Sequence, residues 1–390
     1  MNSKIAIVIY ANPDHYPPII NAITILSKEF DILLICRNQD KPFISYPENI
    51  KVYRLGKLET AEQKQNQNLF LKIKEYILFI LKTIFLVNRY KCKLIYAYDM
   101  YGLVAGFFAS KFIKKIPLVY HNLDMLVSKG KMSINYIVKY LELKLAHFAE
   151  KIVFCDINRA KHFQNEAKLN KLPHIVMNTP LKKDTLAKNK LKDILEKRSY
   201  STNTKVILYQ GRIGEGKALW EVLKSINLWP GNTVLLLMGY LDRDFAKKFF
   251  RQTRLLKVDQ RIIYLGFISY KEIFNYTVGA YLGLGLYDSL EPNWVCVAGA
   301  SNKIFEYISM GIPPIINDSI YFRDVFDESF VYFANPFSSE DIARVINLAV
   351  SDYSGYQKKA SLCRKLHLEK FNYEFQFKPI LEFIKSKIKS

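Results

Sequence analysis

The sequence predicts an α/β protein made of two doubly wound parallel-sheet domains, and three observations carry that expectation. At 390 residues the chain exceeds the roughly 100–200 residues of a single domain. It opens as strand, helix, strand: residues 4–10, about 19–29, and Asp31-Ile-Leu-Leu-Ile-Cys36. Short, nearly continuous apolar runs of this kind mark parallel strands covered by helices on both faces. A second alternation of the same type begins at Lys205.

Composition bounds the function. Half the residues are hydrophobic, and 57 basic residues against 36 acidic ones leave a net charge of +21. That balance favours an anionic partner: nucleic acid, an acidic lipid surface or a phosphorylated substrate. The five cysteines (Cys36, Cys92, Cys155, Cys296, Cys363) are scattered without a Cys-x-x-Cys pair. An odd, dispersed set points to reduced thiols in a cytoplasmic setting, not to a disulfide framework or zinc site. The apolar start reads as a buried strand and lacks the longer apolar region of a secretory signal. No run reaches the roughly 18 uninterrupted apolar residues of a membrane span.

In the first half, the loop Ala11-Asn-Pro-Asp-His15-Tyr-Pro-Pro18 lies at a strand's C-terminal end, where open α/β sheets bind ligands, but it has no Gly-x-Gly-x-x-Gly. Residues 69–87 form the most apolar helix, interrupted by Lys72, Lys74, Glu75 and Lys82. It reads either as a packed core helix or as an interfacial helix with lysines at lipid headgroups. Lys111, Lys114, Lys115 and the lysines of a helix at about 133–150 would extend such a basic face. Strands follow at Lys93-Leu-Ile-Tyr-Ala-Tyr98, at Pro117-Leu-Val-Tyr120 ending in His121, at Lys151-Ile-Val-Phe-Cys155 and at His174-Ile-Val-Met177. Polar residues at successive strand ends suit an active-site rim. His121 itself is open between a structural and a functional role. Lys182 to Lys205 is polar and reads as the interdomain connection, and Tyr373 to Lys389 as a closing helix.

Two turns in the second half carry the chemistry. Val206-Ile-Leu-Tyr-Gln210 runs into Gly211-Arg212-Ile-Gly-Glu-Gly-Lys217 and then a helix. A Gly-rich strand-to-helix turn with two cations five apart is suited to a diphosphate, through close backbone approach and charge. The second turn is Ala298-Gly-Ala-Ser-Asn-Lys303-Ile-Phe-Glu306-Tyr-Ile-Ser-Met-Gly311, followed by the strand Ile312-Pro-Pro-Ile-Ile316. Small residues lead into an amphipathic helix with one carboxylate. Taken alone, this is either an ordinary αβ unit with a Ser/Asn cap or an anion site at a helix N-terminus, with Ser301, Asn302 and Lys303 facing a phosphate.

At these residues the chain resembles the family 4 glycosyltransferases, retaining enzymes with two Rossmann-like domains facing a cleft (the GT-B fold). The likeness rests on Tyr209-Gln-Gly-Arg212 with Lys217, on Tyr264-Leu-Gly-Phe267, and on Asn302-Lys-Ile-Phe-Glu-Tyr307 with Gly311-Ile-Pro313. The N-terminal half matches in architecture only. The resemblance implies an acceptor-binding domain over 1–185, a nucleotide-sugar-binding domain over 200–370, and a final helix, 371–390, crossing back onto the first domain. It implies that Arg212 and Lys217 hold the donor diphosphate with Gly211, and that Glu306 accepts the ribose hydroxyls. Gly299, Ala300, Ser301 and Asn302 would offer backbone N–H groups, Lys303 would lie beside them, Gly266 and Phe267 would lie beside the base, and His121 near the transferred sugar. The family often has a second glutamate eight positions before this one, where the chain has Ala298. Related branches of the family also lack that first glutamate, and Glu291 or Asn293 of the preceding loop is a candidate to stand in for it.

The expected activity is therefore retaining transfer of a sugar from a nucleotide-diphosphate donor to an acceptor hydroxyl. The basic charge and the helix at 69–87 suggest a lipid-linked or surface-polysaccharide acceptor. An anionic membrane surface on the cytoplasmic face is the expected setting, with no nucleic acid partner. No cofactor or metal is expected. Asp242-Arg-Asp244 matches a metal pattern of a different glycosyltransferase fold but reads here as a helix cap. Three rivals stay open: a nucleotide-sugar epimerase of similar architecture, a nucleic-acid binder, and a non-catalytic nucleotide-binding subunit.

Overall fold

The computed structural model describes residues 3–41, 44–113, 115–125 and 133–389; Lys114 lies outside them. The chain divides into two compact units, Met1–Met177 with Gln376–Ser390, and Asn178–Phe375.

The first unit runs β1 (Lys4–Val8), α1 (Pro17–Leu26), β2 (Asp31–Gln39), β3 (Ile50–Glu59), α2 (Ala61–Gln65), α3 (Leu69–Arg89) and β4 (Leu94–Tyr98). It continues with α4 (Asp99–Ile113), β5 (Leu118–Asn122), α5 (Ile134–Leu145), β6 (Lys151–Phe154), α6 (Ile157–Ala167) and β7 (His174–Ile175). The strands form one sheet, ordered β3-β2-β1-β4-β5-β6-β7, with every recorded pairing parallel. β3 is an edge strand with charged and half-exposed residues, not one of the apolar runs the sequence analysis relied on.

α3 packs on the core along one side and leaves apolar residues exposed along the other. Asn68 caps it, accepting from the Leu71 N–H at 2.8 Å. One stripe, Tyr76, Phe79, Thr83, Leu86 and Val87, is buried. The opposite side leaves Phe70, Ile77, Leu78, Leu81 and Phe85 exposed. Among the described residues, no helix is long and apolar enough to cross a membrane.

The second unit runs α7 (Leu191–Lys197), β8 (Lys205–Gln210), α8 (Leu219–Ser225), β9 (Thr233–Met238), α9 (Arg243–Leu255), β10 (Ile262–Tyr264) and α10 (Ile273–Thr277). After these come β11 (Leu282–Gly285), α11 (Pro292–Val295), α12 (Asn302–Ser309), β12 (Pro314–Asn317), α13 (Ile320–Arg323), β13 (Tyr332–Ala334), α14 (Ser339–Ser351) and α15 (Tyr353–Glu369). Its parallel sheet is ordered β10-β9-β8-β11-β12-β13. Counted from β8, this is the 3-2-1-4-5-6 order of a Rossmann domain, with the topological switch between β8 and β11. The period of two sorts the strand residues. Ile207, Tyr209, Leu235 and Leu237 face one core with α8, α9 and α14. Val206, Leu208, Val234 and Leu236 face another, shared with Leu191, Phe274 and Tyr307.

The structure moves two expected boundaries. The stretch 182–205 is not a bare connection: it carries α7, buries Leu191 and joins the second unit's core. The second unit already begins at Asn178, whose N–H and Nδ2 donate to the Gly299 and Ala300 carbonyls at 2.9 Å. The final helix, α16 (Tyr373–Lys389), starts in the second unit and passes into the first. There Phe377 lies 6.1 Å from the Tyr96 ring, and Lys385 and Lys387 pair with Glu29 and Glu150.

Candidate functional site

The carboxyl ends of β8 and β11 define the switch-point crevice of the second unit, and both predicted turns reach it. β8 ends at Gln210, and Gly211 turns the chain with φ +115°, a conformation that favours glycine. The Tyr209 hydroxyl donates to the Arg212 carbonyl at 2.8 Å and fixes the turn from below. The Arg212 side chain is three-quarters exposed, 3.9 Å from the Asp242 carboxylate. Lys217, at the other end of the turn, is buried. Its Nζ lies 3.0 Å from the Trp294 ring centroid and 5.0 Å from that of Tyr287. Burial, with the Arg212 charge nearby, brings Lys217 down to about 7. Arg212, Lys217 and Trp294 line a cavity of about 410 Å³ with Gly214, Glu215, Asp242, Asp244, Phe245 and Lys248.

α12 enters from the other side. Its helix packs tightly because β11 is Leu-Gly-Leu-Gly: a Cβ at Gly283 would lie 2.3 Å from the Tyr307 ring. The Tyr307 hydroxyl accepts the Gln210 N–H at 3.0 Å and so ties α12 to the end of β8. Ser301 occupies the N-cap position but makes no side-chain cap bond; its hydroxyl pairs instead with Tyr287 at 2.6 Å. The first-turn N–H groups of α12 therefore start the helix without an internal side-chain acceptor, which is the arrangement that receives anions. Lys303 is buried between aromatic rings, 4.0 Å from Tyr209 and 4.6 Å from Tyr287. Burial and the neighbouring Lys217 hold its ammonium well below the usual lysine range.

Glu306 is buried on the same helix. Burial raises it to about 7, opposed by a hydrogen bond from Gln210 and by the charges of Lys303 and Lys183. The Gln210 Nε2 donates to Glu306 Oε2 at 2.5 Å.

The structure thus brings together Gly211, Lys217, Ser301, Lys303 and Glu306 around one strand pair, with Arg212 at the mouth of the turn. Ala300 does not offer its N–H, which donates to the Val297 carbonyl at 3.0 Å. Gly266 lies at the end of β10, where its carbonyl accepts the Gly239 N–H at 2.8 Å, and Phe267 beside it is exposed. Ala298 is fully buried. Glu291 and Asn293 sit at the start of α11, the loop that also delivers Trp294. Asp242 caps α9, accepting the Asp244 and Phe245 N–H groups. Among the described residues, no group of three or more metal-ligating side chains occurs.

His121 belongs to the first unit, at the end of β5. It is fully buried, stacked 5.1 Å from Tyr98 and hydrogen-bonded through Nδ1 to the Tyr96 hydroxyl at 2.9 Å. Burial, with His174 adding to it, lowers it to about 3, so the ring is neutral. Its Nε2 is buried without a hydrogen-bond partner among the described residues.

Trp294, Tyr287 and Gln210 were missed as site residues. A tryptophan in a polar loop between the two motifs was the available signal for the first. The others read as strand-end residues.

No protein-family model matches the chain, and no curated protein matches it. Solved structures do. The Anabaena protein HepE in complex with UDP is 18% identical, with a TM-score of 0.73 over 99% of this chain and 100% of that one. Sucrose-phosphate synthase from Thermosynechococcus elongatus is 14% identical, with a TM-score of 0.77 over 99% of both chains. A glycosyltransferase from Rickettsia africae ESF-5 is 16% identical, with a TM-score of 0.75 over 100% of this chain and 99% of that one. The fold is accordingly GT-B: two Rossmann-like domains with parallel sheets of seven and six strands.

Proposed function

We propose that the protein is a retaining glycosyltransferase of the family 4 type, transferring a sugar from a nucleotide-diphosphate donor to an acceptor hydroxyl. The uncapped N-terminus of α12, set at the switch point beside Lys217 and Lys303, carries this reading. Backbone N–H groups and cations there suit a diphosphate, and developing charge on the leaving group would be stabilised by them. Arg212 adds an exposed cation to these two buried ones, and Glu306 supplies a carboxylate for the ribose hydroxyls. The bond between the anomeric carbon and the diphosphate breaks, and the acceptor oxygen bonds to that carbon on the same face. The acceptor proton passes to the departing diphosphate, so no strong protein base and no metal are required. His121 is the candidate group toward the transferred sugar, a role that requires its enclosed Nε2 to become exposed. HepE was solved with UDP and with UDP-glucose, which supports a nucleotide-sugar donor here.

The acceptor is assigned to a lipid-linked or surface glycan at an anionic membrane. The exposed side of α3, with Lys74, Lys82 and Arg89 beside its apolar residues, supports that assignment. Exposed Phe112 on α4 and Tyr136, Ile137 and Tyr140 on α5 add to it.

Thermal stabilisation by UDP, ADP and GDP and their sugar conjugates tests the donor site. A ligand at 100 times its dissociation constant adds about 2.7 kcal/mol. Stabilisation by one base, lost in Glu306→Ala and Arg212→Ala, is expected. No stabilisation by any nucleotide overturns the reading and favours a non-catalytic role.

A further inference from the structure

We propose that Gln210, held in turn by Thr277, is a positioning residue that aims the Glu306 carboxylate toward the ribose; the inference rests on the donor reading above. Three buried side chains from three elements form one line. Thr277, the last residue of α10, is fully buried, and its Oγ1 lies 2.7 Å from Gln210 Oε1 and 2.9 Å from the Ile273 carbonyl. Gln210, the last residue of β8, is 3% exposed and passes the other end of its amide, Nε2, to Glu306 Oε2.

The chain of bonds has a direction. A carboxylate only accepts, so an ionised Glu306 takes the Nε2 end of the Gln210 amide and leaves Oε1 toward Thr277, whose one hydroxyl proton goes either to that oxygen or to the Ile273 carbonyl. Turning the amide over would set its oxygen against the Glu306 carboxylate. The backbone removes the remaining freedom, because the Gln210 N–H is bound by Tyr307 of the same α12 that carries Glu306. One carboxylate oxygen is therefore committed to the protein. Among the described residues no hydrogen bond is recorded to Oε1, whose two lone pairs match two ribose hydroxyls.

The same bond governs charge. The groups acting on Glu306 are Lys303 one turn back on α12, Lys183 from the segment before α7, and the Gln210 amide. Of these, Gln210 opposes the cost of burial most strongly. Without its N–H the carboxyl, already raised to about 7, would keep its proton to higher pH, and a protonated carboxyl accepts less than a carboxylate. Nothing in the resemblance assigned a role to either Gln210 or Thr277.

The test compares binding of UDP, ADP and GDP with their 2′,3′-dideoxy counterparts across pH 5.5–8.5. It uses wild type, Glu306→Ala, Gln210→Met and Thr277→Val. Gln210→Met is expected to weaken the ribose-bearing nucleotide about tenfold at pH 7, the size of one charge-assisted hydrogen bond. The dideoxy form should bind unchanged, and the acid limb of the affinity profile should move to higher pH. Thr277→Val, which removes only a hydroxyl, should do the same to a smaller extent and decides the matter if Gln210→Met does not fold. If Glu306→Ala abolishes discrimination between the two nucleotide forms while the other variants keep wild-type discrimination and acid limb, the positioning role is wrong and the donor reading stands. If Glu306→Ala leaves discrimination intact, or if no nucleotide binds wild type, the donor reading itself fails.

Discussion

If Lys217 holds the donor diphosphate as proposed, it gives the site a measurable proton linkage. In the free protein its ammonium is buried against Trp294 and brought to about 7. A bound diphosphate places negative charge beside it and restores its affinity for the proton. Above pH 7, binding therefore has to draw a proton from solvent. With a free-state value of about 7, the fraction to be protonated is about one half at pH 7 and about nine-tenths at pH 8. Affinity should fall toward tenfold per pH unit above 7, about 1.4 kcal/mol for each unit. A 2′,3′-dideoxy nucleoside diphosphate isolates this limb, because it does not engage Glu306. Calorimetry in two buffers of different ionisation enthalpy counts the protons directly. Wild type should take up about half a proton at pH 7 and nearly one at pH 8, with any excess assigned to Lys303. Lys217→Arg keeps its charge throughout and should lose the Lys217 share of that uptake, with a correspondingly shallower profile. Zero proton uptake by wild type at both pH values would refute the assignment of Lys217 to the diphosphate.

Further outcomes follow from the same geometry. Glu306 has its folded value raised to about 7, so the folded state holds a proton that the unfolded state releases between about pH 4.5 and 7, and stability falls as pH rises through that window. Glu306→Gln should accordingly melt higher than wild type at pH 8, match it at pH 4.5, and bind the ribose-bearing nucleotide more weakly than wild type at pH 8. Gly283→Ala forces a methyl into the Tyr307 ring and should cost about 1–3 kcal/mol in urea unfolding, with nucleotide affinity falling too because α12 is displaced. Replacing Phe70, Leu81 and Phe85 of α3 together by serine should cut co-sedimentation with phosphatidylglycerol vesicles at least several-fold. The melting midpoint should stay nearly constant, since these side chains are already exposed. Asp242→Ala should cost about 1 kcal/mol through the lost cap of α9, and chelators should leave glycosyl transfer unchanged.

Where periodicity and punctuation agreed, the chain could be read directly. The buried strands β1, β2, β8 and β9 are continuous apolar runs, and α12 is an amphipathic turn-and-helix closed by Gly311. β3 escaped because an edge strand alternates charge with half-burial and resembles a loop in composition. α7 escaped for a similar reason: it needs only Leu191 fully buried to join the core, too small a signal within a lysine-rich stretch. At the site, residue types indicated charge and carboxylate but not their surroundings. That Lys217 rests on Trp294, that Ser301 turns to Tyr287 instead of capping its helix, and that Gln210 reaches Glu306 all depend on side chains far apart in sequence. The two glycines of β11 were visible, yet their purpose appears only once Tyr307 is seen crossing Gly283.

The final helix sets a timetable for the chain's birth. The first unit is closed by residues 376–390, which are separated from Met177 by the whole of the second unit, about 200 residues. At about 5–20 residues per second of synthesis, its sheet would emerge from the ribosome and wait roughly 10–40 s before Phe377, Ile380 and Ile384 arrive to be buried. The second unit, which is continuous from Asn178 to Phe375, has no such wait. The half of the protein made first is thus the half completed last, and a nascent chain stalled before residue 376 would display its unfinished apolar surface to chaperones and proteases.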